Sequence, residues 1–237
     1  MKKYKKSDSV SYTLGTTVTI ELLINKPEYV TEVFIHSKQE NNETLNKIMD
    51  LCNKNNILVT KNDKVFAVLS DKENCYVIGV FNKYDSIVDY SANHLVLVNP
   101  SNAGNLGTIM RTSLGFGIRD IMIVREAVDY FDPKTIRASM GAIFCLNVLL
   151  IDDIEEYLKK TTNRTLFPFM LNGKEGLDEI NDTGTFTLIF GNEAKGLPKK
   201  YEEIGRSVVI KHSSLIDSLN LDNAVSIALY EFTKNKR

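Results

Sequence analysis

The sequence predicts an α/β protein, in which a parallel-sheet domain at the C-terminal side follows a smaller α/β domain. Two observations carry this prediction. From about residue 94 onward, short apolar runs alternate with segments of helical periodicity, which is typical of a parallel sheet covered by helices on both faces. Residues 84–93 have no clear period and separate the two differently patterned halves. We therefore expect domains at residues 1–84 and 94–237.

The elements of the first domain follow from periodicity and from residues that end helices. A helix over residues 17–24 stops before Pro27, because proline cannot continue it. A second helix over residues 43–55 has apolar side chains at helical spacing and ends at Asn55-Asn56. The apolar runs expected to form a small sheet lie at 30–35, 57–60, 65–69 and 76–81.

The second domain shows longer apolar runs with helices between them. Its strands are predicted at 95–98, 121–124, 148–151, 166–170, 186–190 and 208–210. Helices are predicted over 106–114 and 154–160, and a final one from Leu221, capped by Ser218 or Asp217. The apolar face of that last helix consists of Leu221, Val225, Ala228, Leu229 and Phe232. Ligands of such sheets bind in loops beyond the carboxyl ends of the strands, so we expect the site there.

Composition and charge exclude several classes of protein. A hydrophobic content of 43% with 25% charged residues is typical of a globular chain, and no apolar run approaches the roughly 18 residues of a membrane span. The basic residues 2–6 run into Ser7-Asp8-Ser9 rather than an apolar core, so we expect no secretory leader and a cytoplasmic location. With a net charge of −1, any nucleic-acid contact must come from local patches such as 2–6 or 234–237.

Cysteine and histidine usage gives no sign of a metal site. Cys52, Cys75 and Cys145 are isolated in the sequence, and the three histidines are scattered. No CxxC pair exists, so neither a zinc site nor a disulfide framework is expected. We interpret the cysteines as buried free thiols.

The first candidate site loop, residues 99–111, follows the strand at 95–98. Its Asn/Gly-rich turn would let the backbone approach a ligand closely, and it opens a helix whose first amides favour an anion. Arg111 is expected one turn into this helix, four residues after Gly107. The loop has neither the GxGxxG dinucleotide fingerprint nor a P-loop lysine, and a purely structural turn would also account for it.

Two more candidate loops lie further along the chain. Residues 191–198 follow the strand at 186–190, and Gly191 and Gly196 allow a sharp turn there. Glu193 is the carboxylate between them, and it could accept hydrogen bonds from a ribose or from neighbouring amides, or simply be solvated. Residues 210–220 lead into the final helix, where capping explains Ser218 but not the adjacent Asn220.

Together these loops resemble the SpoU/TrmH family of RNA ribose 2′-O-methyltransferases, within the SPOUT superfamily. The matches to the family patterns fall at Asn105, Gly107 and Arg111; at Phe190, Gly191, Glu193, Gly196 and Leu197; at Ser218, Leu219 and Asn220; and at Ser139, Gly141 and Ala142. The matching motifs occur in family order over roughly residues 94–235.

The resemblance implies a fold, an assembly and a cofactor. The fold would contain a deep trefoil knot, an exception to the rule that chains avoid threading, and the protein would be a homodimer with its site near the subunit interface. The cofactor would be S-adenosylmethionine, held by backbone groups of the loops. The cofactor-binding positions that carry over are Leu171, Gly191, Ile210, His212 and Leu219.

The resemblance also implies methyl transfer to a ribose 2′-hydroxyl of ribosomal or transfer RNA, a group that DNA lacks. The catalytic positions that carry over are Arg111, Asn105, Glu193, Ser218 and Asn220. A guanidinium, with a pKa above about 12, rarely gives up its proton. We therefore expect Arg111 to bind the adjacent phosphate and to stabilise the developing alkoxide, rather than to act as a base.

The chain departs from the family pattern at three places. Lys211-His212 stands where the family usually has Pro-Met, Asp222 stands at an often small position, and residues 102–104 add length to the first loop. The first domain is similar in element order to the ribosomal-protein-L30e-like substrate-binding domain of many family members.

Two other functions stay open. One is a non-catalytic RNA-binding or ribosome-assembly protein on the same fold, which would not need the five catalytic positions. The other is a Rossmann-like nucleotide enzyme, which the missing glycine fingerprint disfavours. RNA and a second copy of the chain are the partners expected, with no membrane and no metal.

Overall fold

The computed structural model describes residues 2–70, 74–181 and 184–235, and it divides the chain into two compact units. The first unit comprises Met1–Tyr84 and Asp129–Cys145, and the second comprises Asp85–Val128 and Leu146–Arg237. The border at Tyr84 is the one proposed from the sequence, whereas residues 129–145 join the first unit rather than the second. Residues 236–237 of the basic C-terminal patch lie outside the described residues.

Strands and helices alternate through most of the chain. In chain order they are β1 (Val10–Leu14), α1 (Thr16–Asn25), β2 (Val30–Ile35), α2 (Glu43–Lys54), β3 (Leu58–Lys61), α3 (Asp63–Leu69), β4 (Val77–Asn82), β5 (His94–Val98), α4 (Ala103–Gly115), β6 (Asp120–Val124), α5 (Pro133–Ala138), β7 (Asn147–Ile151), α6 (Ile154–Lys160), β8 (Thr165–Pro168), β9 (Glu175–Gly176), β10 (Phe186–Phe190), β11 (Val208–Val209) and α7 (Leu221–Thr233). None of the described helices is long and apolar enough to cross a membrane.

The first unit contains a four-stranded sheet in the order β1-β4-β2-β3. Strands β1 and β2 run antiparallel to β4, and β3 runs parallel to β2. The sequence did not predict β1. It was also wrong about residues 65–69, which form helix α3: Asn62 caps that helix by accepting a hydrogen bond from the Lys64 amide at 3.2 Å. A short apolar run fits a strand and a helix equally well. The capping hydrogen bond favours the helix at residues 65–69.

Residues 129–145 pack into the core of the first unit. The Ser11 hydroxyl donates to the Phe131 carbonyl at 2.6 Å, and the Phe81 ring contacts the Phe131 and Phe144 rings edge-on. Ser139 of the Ser-x-Gly-Ala motif is fully buried and donates to the Ile136 carbonyl at 2.8 Å. In this unit the motif therefore has a packing role.

The second unit contains a five-stranded sheet in the order β7-β6-β5-β10-β8, and all four strand pairings are parallel. Every residue of the three central strands is buried, which explains their uninterrupted apolar sequences. The predicted parallel-sheet α/β domain is thus confirmed. The run at 208–210 does form a strand, β11, but it pairs with β9 in a separate two-stranded sheet.

A buried polar network lies where the parallel strands begin. His94 is fully buried; its Nδ1 lies 2.7 Å from an Arg164 guanidinium nitrogen, and its Nε2 lies 2.8 Å from the Asp89 carbonyl oxygen. The Tyr157 hydroxyl lies 2.8 Å from Nδ1 and 2.5 Å from the Thr187 hydroxyl. A neutral imidazole with its proton on Nε2 satisfies these contacts. Burial lowers the pKa of His94, and the charge of Arg164 lowers it further.

Protein stability is expected to depend on His94 as the pH falls. Because the pKa of His94 is lower in the folded protein, the unfolded chain binds the proton more readily below about pH 6.5, and stability is lost there. His94→Gln is polar but does not titrate. Its free energy of unfolding should therefore fall less between about pH 7.5 and about pH 5.5 than that of the wild type. Urea unfolding at both pH values measures the difference. An equal change in the free energy of unfolding in both proteins would rule out His94 as the responsible group.

Candidate functional site

The first site loop leads from β5 into α4. The Asn102 side chain caps that helix, since its Oδ1 accepts hydrogen bonds from the Gly104 and Asn105 amides at 2.8 and 3.1 Å. The helix begins at Ala103, so Arg111 lies about two turns along it rather than the one turn that the sequence predicted. Arg111 is exposed, and its guanidinium has no hydrogen-bond or ion-pair partner among the described residues.

Glu193 connects the second site loop to the first. One carboxylate oxygen accepts hydrogen bonds from the Ser101 amide at 3.1 Å and from the Ser101 hydroxyl at 2.8 Å. The other accepts from the Asn102 amide at 3.1 Å and from the Asn105 side-chain amide at 3.4 Å. The two loops are thus joined by a single side chain whose two oxygens both have partners within the protein.

The Glu193 carboxylate remains ionised because of these donors. Burial raises the pKa of Glu193, but its own backbone amide, Ser101 and Asn102 together outweigh burial and bring the pKa below its ordinary value. An anion of the protein therefore lies at the beginning of α4, where Asn102 also occupies the first free amides. The anion that the sequence predicted at this helix end is thus met from within the protein, by the Glu193 carboxylate.

Asn192 adds a second connection between the same loops. Its side-chain nitrogen donates to the Asn99 carbonyl at 2.8 Å. Its side-chain oxygen accepts from the Ala194 and Lys195 amides at 3.0 and 3.2 Å. The turn is closed by the Gly196 amide, which donates to the Asn192 carbonyl at 2.8 Å. This network fixes the backbone of the second loop. Asn192 was not among the predicted site residues, although it stands inside the matched motif.

A cavity of about 330 Å³ lies beyond the carboxyl end of β10. It is lined by Phe169, Met170, Leu171, Asn172, Phe190, Gly191, Asn192, Glu193, Ala194, Lys195, Gly196, Leu197, Val208, Val209, Ile210, His212, Ser218, Leu219, Leu221 and Ala224. All five positions expected to bind the cofactor are in this set. Of the five expected catalytic positions, Glu193 and Ser218 are in it.

The other three catalytic candidates lie outside the cavity lining. Asn105 does not line the cavity, but its side-chain amide donates a hydrogen bond to Glu193, which does. Asn220 is exposed and is the N-terminal capping residue of α7, but its side chain makes no capping hydrogen bond. The prediction that Ser218 or Asp217 caps this helix is therefore wrong. Arg111 is not among the lining residues.

The cavity walls also contain residues that were not predicted from the sequence. The Phe169 and Phe190 rings stack at a centroid distance of 4.3 Å with an interplanar angle of 11°. Phe169 and Met170 lie inside the strand predicted at 166–170, but β8 ends at Pro168. In the structure they therefore belong to the loop beyond its carboxyl end, where ligands of parallel sheets bind. Lys195 is exposed at the lining and carries a positive charge. Among the described residues, no group of three or more His, Cys, Asp and Glu side chains could hold a metal ion.

Gly191 is a position where two backbone segments nearly touch. A Cβ atom there would lie 2.1 Å from the Gly196 carbonyl carbon and 2.3 Å from the Leu197 nitrogen, closer than non-bonded atoms can approach. Those backbone atoms belong to the same hydrogen-bonded turn and cannot move away independently. The glycine is thus required by the packing of the loop itself.

Gly191→Ala is expected to disrupt the second loop and to lower the free energy of unfolding by about 2 to 4 kcal/mol, the range of an overpacked core site or somewhat above it. Gly115→Ala is the matched control: nothing lies within 4 Å of a Cβ at this helical position, and alanine favours helix by up to about 1 kcal/mol. Urea unfolding of the two variants measures the contrast. Equal stability of both proteins would contradict the close approach at Gly191.

The fold and the cavity define an α/β protein whose cavity lies beyond the carboxyl end of a parallel strand, where ligands of such sheets bind. The chain belongs to the SpoU rRNA Methylase family, whose model matches residues 92–230, more than half of the chain.

Individual relatives agree with this assignment. The chain is 32% identical over 140 residues to an uncharacterized tRNA/rRNA methyltransferase of Synechocystis, covering 58% of this chain and 51% of the relative. It is 28% identical over 197 residues to a 23S rRNA (adenosine(1067)-2′-O)-methyltransferase of Streptomyces azureus, covering 78% and 73%. The fold matches an AdoMet-bound rRNA methyltransferase from Sinorhizobium meliloti with a TM-score of 0.81 at 23% identity, covering 96% and 88%. The chain thus spans about half the length of the Synechocystis relative.

Proposed function

We propose that this protein transfers a methyl group from S-adenosylmethionine to a ribose 2′-hydroxyl of ribosomal or transfer RNA. The observation that carries the proposal is the meeting of the five expected cofactor positions at one cavity. The named activity of the Streptomyces azureus relative supports a ribose target, and the AdoMet-bound structure from Sinorhizobium meliloti supports the cofactor.

The cavity has the features that such a cofactor requires. The stacked Phe169 and Phe190 rings give it an apolar wall suited to a planar base. At Gly191, where a side chain would collide with the loop, the bare backbone can face the ligand. We propose that Gly191, Ile210 and Leu219 hold the cofactor through their backbone groups, and that the exposed Leu171 and His212 lie at its rim. When bound, the cofactor supplies a methyl group on a positively charged sulfur.

The side chains around the cavity divide into positioning and substrate-binding groups. Glu193 and Asn105 hold the first loop against the second, so they position the helix that carries Arg111. Arg111 is exposed and has no hydrogen-bond or ion-pair partner among the residues that the structure describes, and it is therefore available to bind an RNA phosphate. Because a guanidinium stays protonated, it stabilises the 2′-oxygen as negative charge develops there. Ser218 and Asn220 would orient the ribose.

Further parts of the proposal concern assembly, substrate binding and location. The homodimer, the trefoil knot and the cytoplasmic location stay predictions from the family resemblance. The first unit would bind RNA as an L30e-like domain, with the basic residues 2–6 as one local contact. The non-catalytic alternative differs from this proposal in a single outcome, since such a protein would bind RNA without transferring methyl groups.

Calorimetry with S-adenosylhomocysteine tests the cofactor part of the proposal. We expect binding by the protein alone and a loss of binding in Gly191→Ala. No detectable binding at millimolar ligand would contradict the enzyme function. Mapping ribose methylation in RNA from cells with and without the gene then identifies the substrate. RNA binding with no methylated site lost in the deleted strain would favour the non-catalytic alternative.

A further inference from the structure

We infer that ion pairs at the two ends of β11 position one wall of the cofactor cavity, and that Lys211 is the main positioning residue of this arrangement. Val208 and Val209, which form β11, line the cavity, and so does Ile210. The inference rests on the proposed function, because the ligand of this cavity is the proposed cofactor.

The strand pairing that holds the wall formed by residues 208–210 is short. Strand β11 pairs with β9 through only two residue pairs, Val208 with Glu175 and Val209 with Gly176. On its other side, the Met170 amide donates to the Val208 carbonyl at 2.9 Å. Strand pairing ends at Val209, and residues 211–218 are all exposed. The cavity residues beyond the ladder therefore need another tether.

Lys211 supplies a tether immediately after the ladder ends. Its ammonium lies 2.9 Å from a carboxylate oxygen of Glu179 and 3.2 Å from one of Asp178. The second Glu179 oxygen accepts a hydrogen bond from the Gly176 amide at 3.1 Å. The lysine stem lies directly over Gly176, where a Cβ would stand 2.7 Å from the ammonium nitrogen. The absence of a side chain at Gly176 thus leaves the room in which Lys211 binds.

Arg206 forms the matching pair at the other end of the strand. Its guanidinium donates one hydrogen bond to each oxygen of the Glu175 carboxylate, at 3.0 and 2.5 Å. The acidic segment 175–179 thus forms ion pairs with Arg206, which precedes β11, and with Lys211, which follows it. Hydrogen bonds from Lys211 lower the pKa of Asp178 and Glu179, and those from Arg206 lower the pKa of Glu175. All three carboxylates are therefore charged near neutral pH.

The exposure of these groups determines how the arrangement should respond to salt. Single exposed ion pairs contribute little and are screened by salt, so the contribution of Lys211 should be modest and salt-dependent. It should act on cofactor binding more than on global stability, because the tethered residues Ile210 and His212 line the cavity.

Titration of S-adenosylhomocysteine against Lys211 variants tests the inference. In low salt, Lys211→Met should weaken binding by roughly two- to fivefold, the effect expected from losing exposed ion pairs. Lys211→Arg should restore most of the affinity. In about 1 M salt, where the screening length falls to about 3 Å, wild type and Lys211→Met should converge. Lys200→Met is the matched control, because it removes a lysine–glutamate pair of similar length, 3.0 Å, formed by residues outside the cavity lining.

Each outcome bears on the inference. Equal affinity of the wild type and Lys211→Met in low salt would overturn it. A deficit that persists in high salt would also overturn it, since the lysine stem rather than the ion pairs would then be responsible. Further loss on adding Lys211→Met to an Asp178→Asn/Glu179→Gln protein would show that these carboxylates are not its functional partners. If the wild type itself does not bind S-adenosylhomocysteine, the proposed function fails first and the inference fails with it.

Discussion

Glu193→Gln is expected to lower the free energy of unfolding by about 1 to 3 kcal/mol and to reduce methyl transfer roughly 100-fold. Both carboxylate oxygens of Glu193 accept hydrogen bonds from the first site loop. Glutamine keeps one acceptor and places an amide donor against the donors of Ser101 or Asn102. That mismatch should separate the loop from the cavity wall and displace α4, the helix that carries Arg111.

Urea unfolding and methyl transfer to RNA measure these two effects. Glu203→Gln is the control, because the same change is made at an exposed residue outside the cavity lining, and it should leave both quantities nearly unchanged. A Glu193→Gln protein with normal stability would show that the hydrogen bonds to the first loop contribute nothing. Normal stability with lost activity would instead assign Glu193 to direct contact with RNA.

Arg111→Ala is expected to reduce methyl transfer by roughly 100- to 1,000-fold, the range seen when a group that stabilises transition-state charge is removed. The affinity for S-adenosylhomocysteine should remain within about twofold, because Arg111 is not among the residues that line the cavity. Stability should also be preserved, since exposed side chains without partners rarely contribute more than about 0.5 kcal/mol.

Two companion variants make the Arg111 result specific. Arg111→Lys retains the charge but loses the planar fork that binds phosphate through two hydrogen bonds, so it should restore little activity. Arg119→Ala removes an exposed arginine outside the cavity lining and should leave turnover nearly normal. Near-normal turnover of a folded Arg111→Ala protein would prove the catalytic assignment wrong. Loss of cofactor binding together with activity would indicate damage to α4, which a thermal melt detects.

The sequence predicted those elements whose environment is uniform. The strands at 121–124 and 186–190 are apolar at nearly every position because they are buried on both faces, so their sequences alone mark them. Residues 65–69 are different, since their apolar side chains satisfy a strand pattern as well as a helical turn. The capping hydrogen bond from the Lys64 amide to the Asn62 side chain decides between the two. Asn62 before the run is a cap signal that the apolar pattern alone does not contain.

The candidate site was predictable as a set of loops but not as a set of contacts. The sequence left open whether Glu193 accepts hydrogen bonds from a ribose or from amides. Its actual donors, Ser101 and Asn102, are about ninety residues away in the sequence. They meet Glu193 because β5 lies beside β10 in the sheet, with Leu97 opposite Phe190. Strand order is a property of the whole chain, and no local pattern encodes it.

The path of the chain between β6 and β7 has a consequence for recombination. Residues 129–145 leave the parallel-sheet unit to supply Phe131 and Phe144 to the core around Phe81. The first unit is therefore not a continuous segment that ends at Tyr84. In a chimera that exchanged only residues 1–84, the Phe131 and Phe144 rings of the original protein would have to pack against the core residues of a different protein. Exchange of the whole first unit requires two crossovers more than a single border at Tyr84 suggests, one on each side of residues 129–145.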